Sequence, residues 1–374
     1  MNLQYTWIAD EKEFFSLSSE WKTVFKNNNN HSVFLAWEWV SNWWKIFGDG
    51  KKLAILCARE ESTHQLIAIV PLYNVRKSLL GVTYLTEWKL LGADSIACSD
   101  HLGILTIKKL DQEQVNYLFN VVWTQVGKNG VLYLTDLHRA NPIIEPIIKW
   151  AVYNSIKVKR ETNTTCPGVQ LSTTWNEYLM QLSSNFRSQV RSSYRKVLNN
   201  NNMTIKSVTQ NNEIHRYIND LVNLNISRMG QKNQKSSFLQ LSMQEFLENL
   251  AIDMIGTGNA WLDILLHDNR LIAASFHLLH GNTVYYYQGG FDTEYAKWRP
   301  STVLFAHVIQ RAIDGGYGYF DFLRGDEKYK YRWGAKPVIN VDLLLLPDKL
   351  LTRTTYVLNL MIKKSNNLLQ RLFK

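Results

Sequence analysis

Residues 260–267, 271–279 and 283–289 form three apolar stretches joined by Asp268-Asn269 and His280-Gly281-Asn282. Connections this short turn a chain back on itself, because a parallel crossover needs a dozen or more residues. The three are therefore expected to pair as an antiparallel meander. A loop over 290–300, a helix over 301–315 and a short strand over 319–323 follow. Residues 1–165 repeat this order less sharply. The spacing predicts a helix over 10–26 and a tryptophan-rich helix in which Trp37, Val40 and Trp44 share a packing face. Strands over 53–59 and 65–75 follow, then a strand pair around 79–91, a helix over 111–126, a strand over 131–137 and a helix over 142–153. Such a repeat suggests a duplicated fold.

A chain of 374 residues also exceeds one ordinary core. The polar segment 160–172, with Pro167-Gly168, reads as a linker. Beyond it, a helix over 174–198 has Thr173 and Thr174 as N-caps and stops at the four asparagines from Asn199 to Asn202. A strand and a helix occupy 203–235, and Ser242 with Glu245 has capping-box spacing for a helix over 242–255. The expected class is α/β: two units, 1–165 and 166–346, each a mixed, mostly antiparallel sheet flanked by helices, and a basic helical tail over 347–374.

Charge narrows the partners. Residues 1–170 carry 18 Lys/Arg against 16 Asp/Glu, and the remainder carries 24 against 16, so most of the net +10 lies in the second half. That half is expected to meet anions. Cys57, Cys98 and Cys166 are far apart, which argues against a zinc site or a disulfide framework and for no metal. No stretch approaches the ~20 apolar residues of a membrane span. Residues 1–15 contain Asp10, Glu11 and Glu13 and no apolar core, unlike a secretory signal. A cytoplasmic protein is expected. Peripheral contact with the inner face of a membrane could come through the tail, where Arg353, Lys363, Lys364, Arg371 and Lys374 have no acid among them.

Three constellations could carry chemistry. Lys297, Arg299, Ser301 and Thr302 bring cations and hydroxyls to a helix start whose free amides attract anions. A serine-capped helix with proline in its first turn accounts for the same residues. Arg187, Arg191 and Arg195 recur every four residues, and no acid lies between Glu177 and Glu213, so they form one basic stripe suited to phosphate or acidic sugar. The run from Tyr319 to Gly334 sets Asp321 in an apolar strand beside a loop of acids, cations and aromatics. A carboxylate in such a strand needs a partner, and Arg324 is a candidate.

These pieces resemble the C-terminal core of the GNAT acyltransferases. The matching residues are Leu266 to Ala274, Tyr285-Tyr286-Tyr287-Gln288-Gly289-Gly290-Phe291-Asp292, Gly315-Gly316, and Phe320-Asp321-Phe322-Leu323-Arg324-Gly325-Asp326 with Tyr329-Lys330 and Arg332-Trp333-Gly334. Fainter echoes at Phe34 to Trp39, Trp43-Trp44 and Ile69 to Leu72 extend the likeness over most of the chain. The branch it is most similar to is the one named for the cellulose-biosynthesis protein CelD, related to the Fem-type aminoacyl transferases. The resemblance implies tandem GNAT-like domains. It also implies acyl transfer from acetyl-CoA or another acyl-CoA to an amine or hydroxyl of a sugar, polyamine, lipid or cell-envelope precursor.

In that scheme Asp321 acts as base or orienter, Arg324 and Lys330 bind anionic groups, and Tyr329 gives a proton. Lys297, Arg299, Ser301 and Thr302 meet the cofactor pyrophosphate, with Pro300-Ser301 standing where Pro-Gly is common. Arg187, Arg191, Arg195, Asp326 and Trp333 are expected to contact substrate. The Fem branch implies charged tRNA as an alternative donor. A non-catalytic binding module on a degenerate scaffold is the reading from another class, and no DNA-recognition motif accompanies the basic residues.

Overall fold

The structure, a computed structural model, describes residues 3–27, 32–79, 82–93, 96–348 and Tyr356. The expected tail over 347–374 therefore lies almost wholly outside the described residues. The first unit opens with β1 (Leu3–Ile8), α1 (Glu11–Ser16), α2 (Ser18–Lys26) and α3 (Trp37–Phe47). It continues through β2 (Lys52–Glu60), β3 (Leu66–Leu79), β4 (Val82–Leu90), β5 (Leu105–Thr106), α4 (Gln112–Val126), β6 (Gly130–His138), α5 (Ile144–Tyr153) and β7 (Lys157–Thr165). The second begins with β8 (Gly168–Gln170), α6 (Trp175–Gln181), α7 (Ser184–Leu198), β9 (Met203–Val208), α8 (Asn211–Gln231) and α9 (Leu241–Gly256). The meander follows as β10 (Ala260–His267), β11 (Arg270–His280) and β12 (Thr283–Phe291), then α10 (Pro300–Asp314), β13 (Tyr319–Asp321), α11 (Lys328–Arg332) and β14 (Ile339–Leu346).

The predicted meander is present, with Asp268 and Asn269 both at positive φ as a tight hairpin demands. The duplication is present too. The first sheet runs β1-β2-β3-β4-β6-β14-β7, with β5 on β3, and the second runs β8-β13-β12-β11-β10-β9. Each is antiparallel except at one central pair, β4 with β6 and β12 with β13. In the second sheet this pairing ends at Tyr285 and Asp321, beyond which β12 runs on to Phe291 without β13.

The units are not divided at residue 346. Strand β14 crosses back and pairs between β6 and β7, while β8, at the head of the second half, closes the second sheet on β13. The polar segment read as a linker is thus two strands in two sheets. Strand β7 is polar and exposed along most of its length, with no buried residue, which is why composition alone suggested a loop. The return of β14 to the first sheet ties the halves together, and a single apolar cluster runs through both. Tryptophans of α3 join them as expected, though by another face. Trp39 packs on Phe246 and Tyr287 at 5.1 Å each, while Trp37 stays within the first unit against Phe14 and Trp21.

Two predicted helices are broken. The chain turns at Leu17 between α1 and α2, and Leu182 is extended between α6 and α7, where Ser183 caps the second piece. Thr174 caps α6 in a full capping box with Glu177. The box expected at Ser242 is absent, since α9 already starts at Leu241 and places Ser242 inside the first turn.

Candidate active site

Asp321 ends β13 where it leaves β12, directly opposite Tyr285. Its partner is not Arg324 but His101 from the first unit. His101 Nε2 lies 3.0 Å from Asp321 Oδ2, and its Nδ1 lies 2.7 Å from Asn340 Oδ1 on β14. The Asn340 amide is held that way round because its Nδ2 donates to Thr164 Oγ1 and Cys166 Sγ. Both imidazole nitrogens therefore face acceptors, which favours the doubly protonated ring. The second oxygen of Asp321 accepts the Leu323 N–H at 2.7 Å. Burial is the largest single influence on the pKa of His101 and pulls it down, but Asp321, Asp100 and Asn340 together outweigh it and leave it raised to about 8. His101, Asp136 and Leu323 all have φ near +55°, a conformation L-residues avoid and active sites often hold.

A pH dependence of stability follows. A histidine whose folded pKa exceeds its unfolded value of about 6.5 stabilises the fold fully below that value and ceases to as pH rises through the folded one. Denaturant unfolding at about pH 6 and about pH 9 is expected to differ by roughly 2 kcal/mol through this residue. The difference should vanish in His101→Gln.

Arg324 is committed elsewhere. Its Nε and Nη2 reach Asp100 at 2.9 and 2.8 Å, Nη2 also reaches Asp136 at 3.2 Å and the Ser99 carbonyl, and its backbone N–H donates to Asp100 as well. Asp100 is fully buried, and burial pushes Asp136 up to about 6. Lys330 is likewise turned inward. Helix α11 folds back so that the buried ammonium donates to the carbonyls of Leu323, Arg324 and Gly325 at 2.7–3.0 Å and pairs with Glu327. It shapes the turn that carries Asp321. Lys330→Met is expected to destabilise the protein by roughly 1–3 kcal/mol in denaturant titration, because buried carbonyls lose their donor.

A cavity of about 540 Å³ lies between the units beside this pair. The second unit contributes Thr283, Tyr285, Tyr319 and Asp321, and the first contributes His101, His138 and an apolar wall that includes Leu110 and Ile143. Burial, with the charge of Asp321, pushes both tyrosines above their ordinary pKa, so they remain hydroxyl donors. Burial lowers that of His138, whose Nδ1 accepts from the Ala140 N–H, so the neutral ring offers Nε2–H. Tyr329 does not line this cavity. It packs against Phe305 and Phe322. Trp333 is core, 5.0 Å from Phe186 with its carbonyl accepting from Tyr178, and exposed Asp326 takes the hydroxyl of Tyr331.

The arginine stripe and the helix-start cations do meet. Arg187, Arg191, Arg195 and Lys196 share an open groove of about 1420 Å³ with Lys297 and Trp298, and no acid among the described residues lines it. Arg299 precedes α10 in the left-handed conformation and is exposed. Ser301 borders instead a closed crevice of about 10 Å³, filled by Tyr286 and Phe305 at 4.8 Å. Among the described residues no cluster suited to a metal ion occurs, and no helix is long and apolar enough to cross a membrane.

The doubled mixed sheets and the parting of β12 from β13 give the chain a GNAT-like fold. Residues 184–331 match the family model described as "Acetyltransferase (GNAT) domain". The crystal structure of FemX superposes with a TM-score of 0.65 at 11% identity, over 94% of this chain and 99% of that one. The C-terminal domain of a putative lysylphosphatidylglycerol synthetase from Agrobacterium fabrum gives 0.55 at 9%, over 93% and 95%. L-PGS from Bacillus licheniformis gives 0.52 at 10%, over 94% and 96%. No curated protein sequence matches this chain.

Proposed function

We propose that this protein transfers an acyl group from a phosphate-bearing donor to an amine or hydroxyl acceptor held in the cavity between its units. The observation that carries this reading is the buried Asp321–His101–Asn340 chain in the wall of that cavity, at the strand junction of a GNAT-like fold. Each carboxylate oxygen of Asp321 keeps a lone pair beyond those given to His101 and Leu323. An acceptor N–H or O–H can donate to one of them. As the nucleophile attacks the acyl carbon, its proton passes to Asp321, and the imidazolium steadies the carboxylate until then. The bond from the acyl carbon to sulfur or oxygen of the donor breaks, and Tyr285 or Tyr319 is placed to protonate the departing atom. His138 Nε2–H can orient the acceptor. A sugar, polyamine, lipid or cell-envelope precursor, as in the CelD branch, fits a cavity with a polar end and an apolar wall.

For an acyl-CoA donor, Lys297, Arg299, Ser301 and Thr302 stand where a helix start suits a pyrophosphate. The crevice beside Ser301 does not suit the pantetheine arm, because Tyr286 and Phe305 fill it. That observation favours a second reading, a charged tRNA laid along the wide basic groove of α7. The likeness to FemX and to lysylphosphatidylglycerol synthetases supports it.

The test offers acetyl-CoA and aminoacyl-tRNA separately, each carrying a labelled acyl group, with a panel of amine and hydroxyl acceptors. With tRNA as donor, Arg191→Glu combined with Arg195→Glu is expected to weaken binding and flatten its salt dependence by about two in the log–log slope. Transfer from acetyl-CoA that ignores these changes would select the thioester. Transfer from neither donor would remove the proposal.

A further inference from the structure

The first unit holds another cavity, about 380 Å³, that acyl transfer as described does not use. It lies over β2, β3 and β4, where Lys52 is in register with Asn74 and Asn74 with Trp88. Asn74 is 8% exposed, and its amide has no hydrogen-bond partner among the described residues. Trp88 is 5% exposed, and its indole N–H is likewise unpartnered. The Asn74 amide, unpaired among the described residues, is free to bond to whatever enters the cavity. At the rim, Lys52 and Arg76 are exposed and have no carboxylate partner among the described residues. Glu11, also in the lining, already accepts from the Trp44 indole at 2.9 Å.

We propose that this cavity binds a small anionic sugar, a pyranose bearing a phosphate or carboxylate. The Asn74 amide can both donate to and accept from ring hydroxyls. Half-buried Trp7 offers an aromatic surface to the C–H face of the ring, and Lys52 and Arg76 take the anion. A flat nucleobase fits less well. Trp7 and Trp88 meet edge to face at 63°, so they form no parallel slot. The volume is that of a small-ligand pocket. The site stands apart from Asp321 and does not depend on the acyl-transfer reading.

The test is calorimetric titration of the full chain with glucose 6-phosphate, glucuronate, glucose and inorganic phosphate, without any acyl donor. One or both anionic sugars are expected to bind saturably, at least about tenfold more tightly than glucose or inorganic phosphate. The phosphate and carboxylate arms then distinguish the source of the charge. Arg76→Glu should abolish the preference over glucose. Asn74→Leu removes an amide that has no partner in the fold, so it should weaken binding about tenfold while leaving the thermal midpoint unchanged or higher. The proposal is overturned if neither anionic sugar binds at millimolar concentration. It is equally overturned if phosphate alone binds as well as glucose 6-phosphate, or if both variants bind like the native chain.

Discussion

Asp321→Asn is expected to lower kcat/KM for acyl transfer by about 10²–10⁴-fold, the range that a positioned proton acceptor contributes. An amide keeps the shape of the carboxylate and can still accept from the Leu323 N–H, so the turn after β13 should persist. What it loses is basicity and the charge facing His101. The pH profile separates this from simple misfolding. In the native protein, activity should decline as pH rises through about 8, because His101 then loses the proton that steadies Asp321. His101→Gln preserves a donor toward Asp321 without the charge. It is expected to cost less than Asp321→Asn and to remove the decline near pH 8. These measurements need the donor and acceptor identified by the transfer assay. Retention of more than about a tenth of native turnover in Asp321→Asn would mean that the acceptor proton leaves by another route.

Much of this was legible in the chain, and the residues that were not share a cause. The meander from Ala260 to Phe291 was readable because turn chemistry is local, and Asp268-Asn269 leaves a strand no other course. Asp321 stood out as a carboxylate in an apolar strand. Its partner did not, because His101 lies 220 residues away on a loop with no periodic signal. Long separations likewise hid Asn340 from His101, and Asp100 and Asp136 from Arg324. Arg324, three residues from Asp321, looked like the natural partner, yet positive φ at Leu323 turns it toward the first unit. Lys330 looked free to bind an anion, and only the fold shows its ammonium enclosed by carbonyls. The arginine stripe did survive, since helical spacing alone fixes a common face. Strand β14 was missed because its apolar residues carry no mark of which sheet they complete.

The largest expected effect on stability falls on Arg324. Replacing it with methionine keeps most of the volume but leaves fully buried Asp100 and largely buried Asp136 facing each other without their shared cation. Removing one partner of a buried ion pair costs about 3–5 kcal/mol, mainly through the charge left behind. Denaturant unfolding of Arg324→Met should show a loss of that order. Because Asp136 is already raised to about 6, it is the carboxylate expected to take up a proton in the variant, so the loss should shrink as pH falls toward about 5. Arg324→Met combined with Asp100→Asn removes the stranded charge and should recover part of the loss, as groups in one network do not add. The arginine spans the two units, holding Asp100 and Asp136 of the first against the loop after β13. Its removal should therefore loosen the Asp321–His101 contact as well, which hydrogen exchange at Leu323 would register as faster opening. Arg324→Met within about 1 kcal/mol of native stability would mean that the return of β14 to the first sheet, rather than this charge cluster, holds the site together.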